Sequence, residues 1–247
     1  MKYFAKIKYL GTDFHGFQVQ PGLRTVQGTL NEALDLAFGT PCKVTGCSRT
    51  DAGVHANEFC LTVENREGSI PPEKLPVAVS RYLPPDLSLF FAERCDDSFH
   101  PRYDVKEKEY LYRIINNKIY DPFEYGRAWF LPRSVGEREM ELMRSAATHF
   151  IGRMDFSSFM AEGSDVEDTV RTVSSLTLEK SGSLIEIRIK ADGFLYNMVR
   201  IMVGTLTEVG EGRIKPHEID KIIEGKDRAA AGKTAPPDGL YLNKAVY

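Results

Sequence analysis

Lys2-Tyr3-Phe4-Ala5-Lys6-Ile7-Lys8-Tyr9-Leu10, followed by Thr25-Val26-Gln27-Gly28-Thr29-Leu30-Asn31-Glu32-Ala33-Leu34-Asp35-Leu36-Ala37-Phe38-Gly39, sets the pattern on which the fold turns. In the first stretch Ala5, Ile7 and Tyr9 alternate with Lys6 and Lys8, the period of a half-buried strand. In the second, Thr25 is placed to cap a helix. Val26, Leu30, Ala33, Leu34 and Ala37 fall on one face, and Gly39 ends it. Working outward, residues 43–47 and 59–64 read as short strands, residues 72–82 as a second helix, and Leu87–Arg94 as a further strand. The order is β-α-β-β-α-β.

The second half echoes it. Residues 109–115 alternate, with Tyr110, Tyr112 and Ile114 on one face. Residues 134–151 read as a helix opened by a capping box from Ser134 to Glu137, with Met140, Met143, Ala147 and Phe150 on its apolar stripe. Residues 172–178 and 184–190 read as a hairpin across Lys180-Ser181-Gly182-Ser183, with Ile185, Ile187 and Ile189 on the inner face. A mostly apolar helix is expected over 194–209 and a short one over 216–224, with Leu240–Val246 as the last strand. The fold class expected is therefore α+β. Two ferredoxin-like β-α-β-β-α-β halves are expected, residues 1–105 and 106–247, with largely antiparallel sheets, helices on one face and a cleft between them.

A chain of 247 residues, 42% hydrophobic and 27% charged, has the composition of a globular protein of one large or two small domains. The net charge of −3 excludes binding of nucleic acid through bulk charge, though not through a local basic groove. No apolar run reaches the ~18 residues of a membrane span, and no signal peptide is recognisable, so a cytoplasmic location is expected. Cys42, Cys47, Cys60 and Cys95 form no CxxC pair and read as packing residues. The five histidines lack metal-ligand spacing, so no metal is expected. Gly232-Lys233-Thr234 imitates the end of a phosphate-binding loop, but Asp227 stands where that loop needs glycine.

Three segments carry candidate chemistry. Arg49-Thr50-Asp51-Ala52-Gly53-Val54-His55 falls in a loop between two strands. Asp51 is either a turn-capping residue or a carboxylate held ionised by a charge network beginning at Arg49. In the latter case it suits a nucleophile or base. Arg200 lies in the apolar stretch Phe194-Leu195-Tyr196-Asn197-Met198-Val199-Arg200, and either snorkels to the surface or needs a carboxylate or a wet pocket. Tyr110 and Tyr112 share a strand face. They either pack the sheet or offer a stacking surface to a base, flanked by Arg102, Lys106, Lys108 and Arg113.

In this order the segments resemble the tRNA pseudouridine synthase A family. Similar to that family too are Gly16-Phe17-Gln18-Val19-Gln20 with Thr25-Val26-Gln27-Gly28, Phe99-His100-Pro101-Arg102, Asp155-Phe156-Ser157-Ser158-Phe159, and Ala235-Pro236-Pro237-Asp238-Gly239-Leu240. Ser48, Leu10 and Phe17 depart from its usual glycine, aspartate and tryptophan. The resemblance implies isomerisation of uridine to pseudouridine in the anticodon stem-loop of tRNA, at positions 38–40, without cofactor or metal, by a homodimer. It implies Asp51 as the catalytic carboxylate, by attack on sugar or base or by proton removal. It implies Arg200 and Arg49 as its cationic partners, Tyr110 against the flipped base, and Arg102 on the RNA. An RNA-binding protein or chaperone without chemistry is the other reading, since such folds also present aromatic sheets to single-stranded RNA.

Overall fold

The computed structural model describes residues 1–65, 70–164 and 166–247. They form two compact units, Met1–Lys106 with Tyr241–Tyr247, and Glu107–Leu240.

The first unit contains β1 (Lys2–Tyr9), α1 (Val26–Phe38), β2 (Lys43–Gly46), β3 (His55–Glu64), α2 (Leu75–Ser80) and β4 (Leu87–Arg94). β1 lies between β4 and β3, antiparallel to both, and β2 pairs antiparallel with β3. That is the strand order of a ferredoxin-like sheet. The expected cap of α1 forms: the Gly28 N–H donates to the Thr25 hydroxyl (3.3 Å), and Gly39 takes the left-handed conformation. The apolar stripe of α1 seats Val26, Leu30, Ala33 and Leu34 in the core, each large side chain contributing about 1.5 to 3 kcal/mol.

The second unit contains β5 (Glu107–Ile115), β6 (Trp129–Phe130), α3 (Glu137–Thr148), β7 (Gly152–Asp155), β8 (Val170–Ser181), β9 (Leu184–Ala191), α4 (Met198–Gly210) and α5 (Glu218–Gly225). β9 lies between β5 and β8, antiparallel to both, and β7 extends the β8 edge. Ile185, Ile187, Ile189 and Ala191 alternate into the core as their spacing dictates. The hairpin turns at Gly182, whose φ is 59°.

Several boundaries differ from the sequence reading. The helix read from residue 134 begins at Glu137, and its cap lies two residues on, where the Gly136 N–H donates to the Glu139 carboxylate at 2.8 Å. The backbone N–H groups of Glu139 itself and of Gly136 hold the Glu139 carboxyl below its ordinary range. The helix read from residue 194 begins at Met198, because Asn197 adopts φ 58°, outside helical geometry. β3 starts at His55, four residues earlier than read. The helix read over 72–82 divides into a 3-10 turn at Pro72–Lys74 and the short α2. The helix read from Pro216 begins at Glu218. The last strand, β10 (Leu240–Val246), read as the close of the second half, belongs with the first unit from Tyr241 onward. There Tyr241 and Leu242 pair in parallel with His55 and Ala56.

α4 is buried along nearly its whole length, and residues 228–236 run beside it. A Cβ on Gly204 would lie 1.7 Å from the Lys233 carbonyl oxygen, so only glycine admits this approach. The Gly232 N–H donates to the Thr205 hydroxyl at 2.9 Å, and the Ala235 N–H to the Arg200 carbonyl at 3.0 Å. Among the described residues no helix is long and apolar enough to cross a membrane.

Candidate active site

In the first unit, the loop between β2 and β3 presents Asp51. Its neighbour Thr50 is buried and held from two sides. Its hydroxyl shares a buried 2.8 Å hydrogen bond with the Tyr9 hydroxyl of β1, and its carbonyl accepts the Phe17 N–H at 3.0 Å. Gly16 has φ 77°, and a Cβ there would sit 2.6 Å from the Thr50 carbonyl oxygen. Residues 11–17 therefore wrap the loop at backbone contact. Beyond Asp51 the Val54 N–H returns to its carbonyl (3.2 Å), and the Gly53 N–H donates to the Phe14 carbonyl (3.2 Å). The result is a half-buried aspartate on a tightly braced turn.

His55, weighed in the sequence only as a metal ligand, has a structural place. It is fully buried, accepts the Gly11 N–H at Nδ1 (2.8 Å), and stacks on Tyr241 with centroids 4.5 Å apart. Because a backbone N–H must donate, Nδ1 is unprotonated and the ring proton sits on Nε2. The period-2 spacing of His55 with Phe59, which puts both on one strand face, was the available signal. Among the described residues no three His, Cys, Asp or Glu side chains converge to hold a metal ion.

Arg49 departs from its expected role beside Asp51. It is exposed and, among the described residues, its guanidinium enters no ion pair. It lines instead a cavity of about 200 Å³ with Phe17, Gln18, Gln27, Ser48, His100, Arg102 and Tyr103. The structure thus brings Arg49 and Arg102 together.

In the second unit, Arg200 is half-buried rather than snorkelling freely. Its Nε donates to the Ala235 carbonyl (2.7 Å) and its Nη1 to the Asn197 amide oxygen (2.7 Å). Asn197 was not singled out in the sequence. Its left-handed backbone both delays α4 and aims its amide at the arginine. Tyr110 is 7% exposed and meets Phe194 edge-on at 4.9 Å. Tyr112 is fully buried and donates to the Pro236 carbonyl at 2.7 Å, and burial pushes its hydroxyl pKa well up. Of the tyrosine pair, Tyr112 is therefore a packing residue. Arg113, on the opposite face of β5, is engaged by Glu124 at 3.1 Å and does not join a basic set around Tyr110. Strand alternation is the reason.

Residues 5–104 and 146–247 match the family model described as tRNA pseudouridine synthase. The chain belongs to that family. A tRNA pseudouridine synthase A of Thermoanaerobacter sp. (strain X514) is 45% identical over 98% of this chain and 97% of its own length. Those of Brevibacillus brevis (strain 47) and Bacillus subtilis (strain 168) are 42% and 41% identical, the latter over 100% of this chain and 99% of its own. The matched spans include the braced loop at Asp51 and the start of α4, two of the three segments that carry candidate chemistry in the sequence, and not the strand with Tyr110.

Proposed function

We infer that the chain is an isomerase converting uridine to pseudouridine in tRNA. The observation that carries this is the family match, which spans the Asp51 loop and the Arg200 helix, with relatives 41–45% identical along the full chain. The finer reading rests on the sequence motifs and on the local environments described above. The target lies in the anticodon stem-loop at positions 38–40, and the enzyme works in the cytoplasm as a homodimer without cofactor or metal.

The chemistry breaks the bond from N1 of the base to C1′ of the ribose and forms one from C5 to C1′. The C5 proton leaves and N1 ends protonated, so no electrons are gained or lost. Such a reaction needs a positioned carboxylate and a held base. Asp51 supplies the carboxylate. Its support is a loop whose backbone is fixed on both sides by Thr50, Gly16 and Phe14, so little reorganisation is needed at the moment of reaction. Arg200, oriented by Asn197 and Ala235, serves the same uridine as a fixed positive charge. Tyr110 serves it as an aromatic surface once the base leaves the stack. Arg49 and Arg102 hold the RNA backbone.

The test is direct. Incubation with an unmodified tRNA transcript, followed by carbodiimide-dependent primer extension, is expected to give stops at positions 38–40. A transcript left unmodified contradicts the reading.

A further inference from the structure

We propose that the cavity beside the Asp51 loop is a second nucleotide subsite, which seats a flanking residue of the RNA with its phosphate on Arg49 and Arg102 and its base on Tyr103. The proposal rests on the reading of tRNA as substrate and specifies how the first unit holds it.

Three observations meet in this cavity. The first is charge. Arg24 pairs with Asp86, Arg113 with Glu124, Arg188 with Glu186 and Arg144 with Glu137. Arg49 and Arg102 enter no ion pair among the described residues, yet share one cavity of about 200 Å³. Two guanidinia without carboxylates on a shared wall form an anion site, and guanidinium geometry suits phosphate oxygens.

The second is an aromatic platform. Tyr103 is 76% exposed, although tyrosine normally buries its ring. It is held by His100, whose ring lies 4.2 Å away at 32°. The turn is itself fixed: the Tyr103 and Asp104 N–H groups both donate to the His100 carbonyl, and the His100 N–H donates to the Asp104 carboxylate at 2.7 Å. A braced, exposed ring loses little entropy when a base stacks on it, and such stacking is worth about 1 to 3 kcal/mol per base.

The third is a set of polar groups along the walls. The Arg102 N–H donates to His100 Nδ1 at 3.1 Å, which leaves the ring proton on Nε2 as a donor. Gln18 lines the cavity as well. Gln27 is committed elsewhere, donating to the Val44 carbonyl and accepting the Val19 N–H, and so holds the wall in shape. Phe17 forms the floor, stacked on Phe59 at 4.3 Å. Guanidinia, a stacked ring and neutral donors at one cavity describe a nucleotide more closely than a free anion, which has no use for the ring.

Binding of an unmodified tRNA transcript, measured by fluorescence anisotropy across a salt series, tests the assignment. Tyr103→Ala is expected to raise Kd about ten-fold, and Tyr103→Phe to restore it, since stacking needs the ring and not the hydroxyl. Arg102→Gln is expected to weaken binding and to lower the slope of log Kd against log salt by about 0.7 to 0.9, the loss of one phosphate contact. Both side chains are exposed, so neither variant disturbs the core. Wild-type binding from Tyr103→Ala, or an unchanged salt slope from Arg102→Gln, overturns the subsite. Wild-type protein that binds the transcript with these responses but forms no pseudouridine supports the subsite and contradicts the isomerase reading instead.

Discussion

Arg200, proposed to serve the target uridine, shows how this fold orients a single charged side chain. An arginine within a buried helix has to be given partners, and two neutral acceptors provide them: the Ala235 carbonyl and the Asn197 amide. Both acceptors are neutral, so these two hydrogen bonds orient the guanidinium without themselves offsetting its charge. Asn197→Gly isolates this positioning. Glycine keeps the left-handed backbone that Asn197 adopts at φ 58° but removes the acceptor. A hydrogen bond to a charged group is worth about 1.5 to 3 kcal/mol. The variant is therefore expected to fold normally and to lose about ten-fold or more in kcat/KM, with the loss mainly in kcat. An unchanged kcat/KM contradicts the positioning role. The residue scale is also where sequence reading was most uneven. Asp51 was singled out by the family pattern, since local composition alone left a turn residue and an ionised carboxylate both open. Asn197 was not, because a left-handed conformation leaves no mark on hydrophobic periodicity.

At the scale of elements, Asp155 ends β7 and ties it to two others. Its carboxylate accepts from Lys226 at the end of α5 (2.8 Å) and from the Thr169 hydroxyl just before β8 (2.6 Å). The Ser157 N–H adds a third hydrogen bond at 3.0 Å. Lys226 first, then Thr169, holds the carboxyl well below the usual carboxylate range. A depressed folded pKa stabilises the fold above the unfolded value of about 3.9, and that contribution is lost as pH falls toward the folded one. Asp155→Asn is expected to lower stability by about 2 kcal/mol at pH 7. In urea unfolding, the gap from wild type is expected to narrow progressively below about pH 4. A gap of constant size from pH 7 to pH 2 contradicts the ionic origin. Elements with signals in their own sequence were read correctly: α1 by Thr25 and Gly39, β9 by its isoleucines. β7 was not read, since four residues, Gly152 to Asp155, are too few to show a period. The cavity at Tyr103 was not foreseen either. It is made by residues 17–18, 44–49 and 100–103, which only tertiary structure brings together.

At the scale of the whole molecule, the sequence reading of an α+β chain with two β-α-β-β-α-β patterns and its family resemblance both stand, while the last strand changes sides. β10 pairs on β3 in the first unit, which places its first residues, Tyr241 and Leu242, beside His55 and Ala56, where the Asp51 loop leads into β3. A strand period is visible in sequence, but its partner is not. The net charge of −3 is now local in meaning: acids such as Glu137 and Glu139 are spent on helix α3, in an ion pair with Arg144 and in a cap, whereas Arg49 and Arg102 keep their charge beside the Asp51 loop. The proposed homodimer is checked by size exclusion with light scattering, expected to give about twice 27.8 kDa at micromolar concentration. A mass of one chain contradicts it.

We propose that the Asp51 carboxylate carries out the isomerisation on a tRNA held by other residues. Asp51→Asn keeps the shape of the side chain and removes its charge, and the loop around it is braced by backbone contacts that the change does not touch. The measurement is pseudouridine mapping of one tRNA transcript treated with wild-type protein or with Asp51→Asn, beside the affinity of each for that transcript. Pseudouridine is expected at positions 38–40 from the wild type, none above background from the variant, with affinities within about three-fold of each other. Pseudouridine formed by Asp51→Asn at a rate near that of the wild type would contradict it.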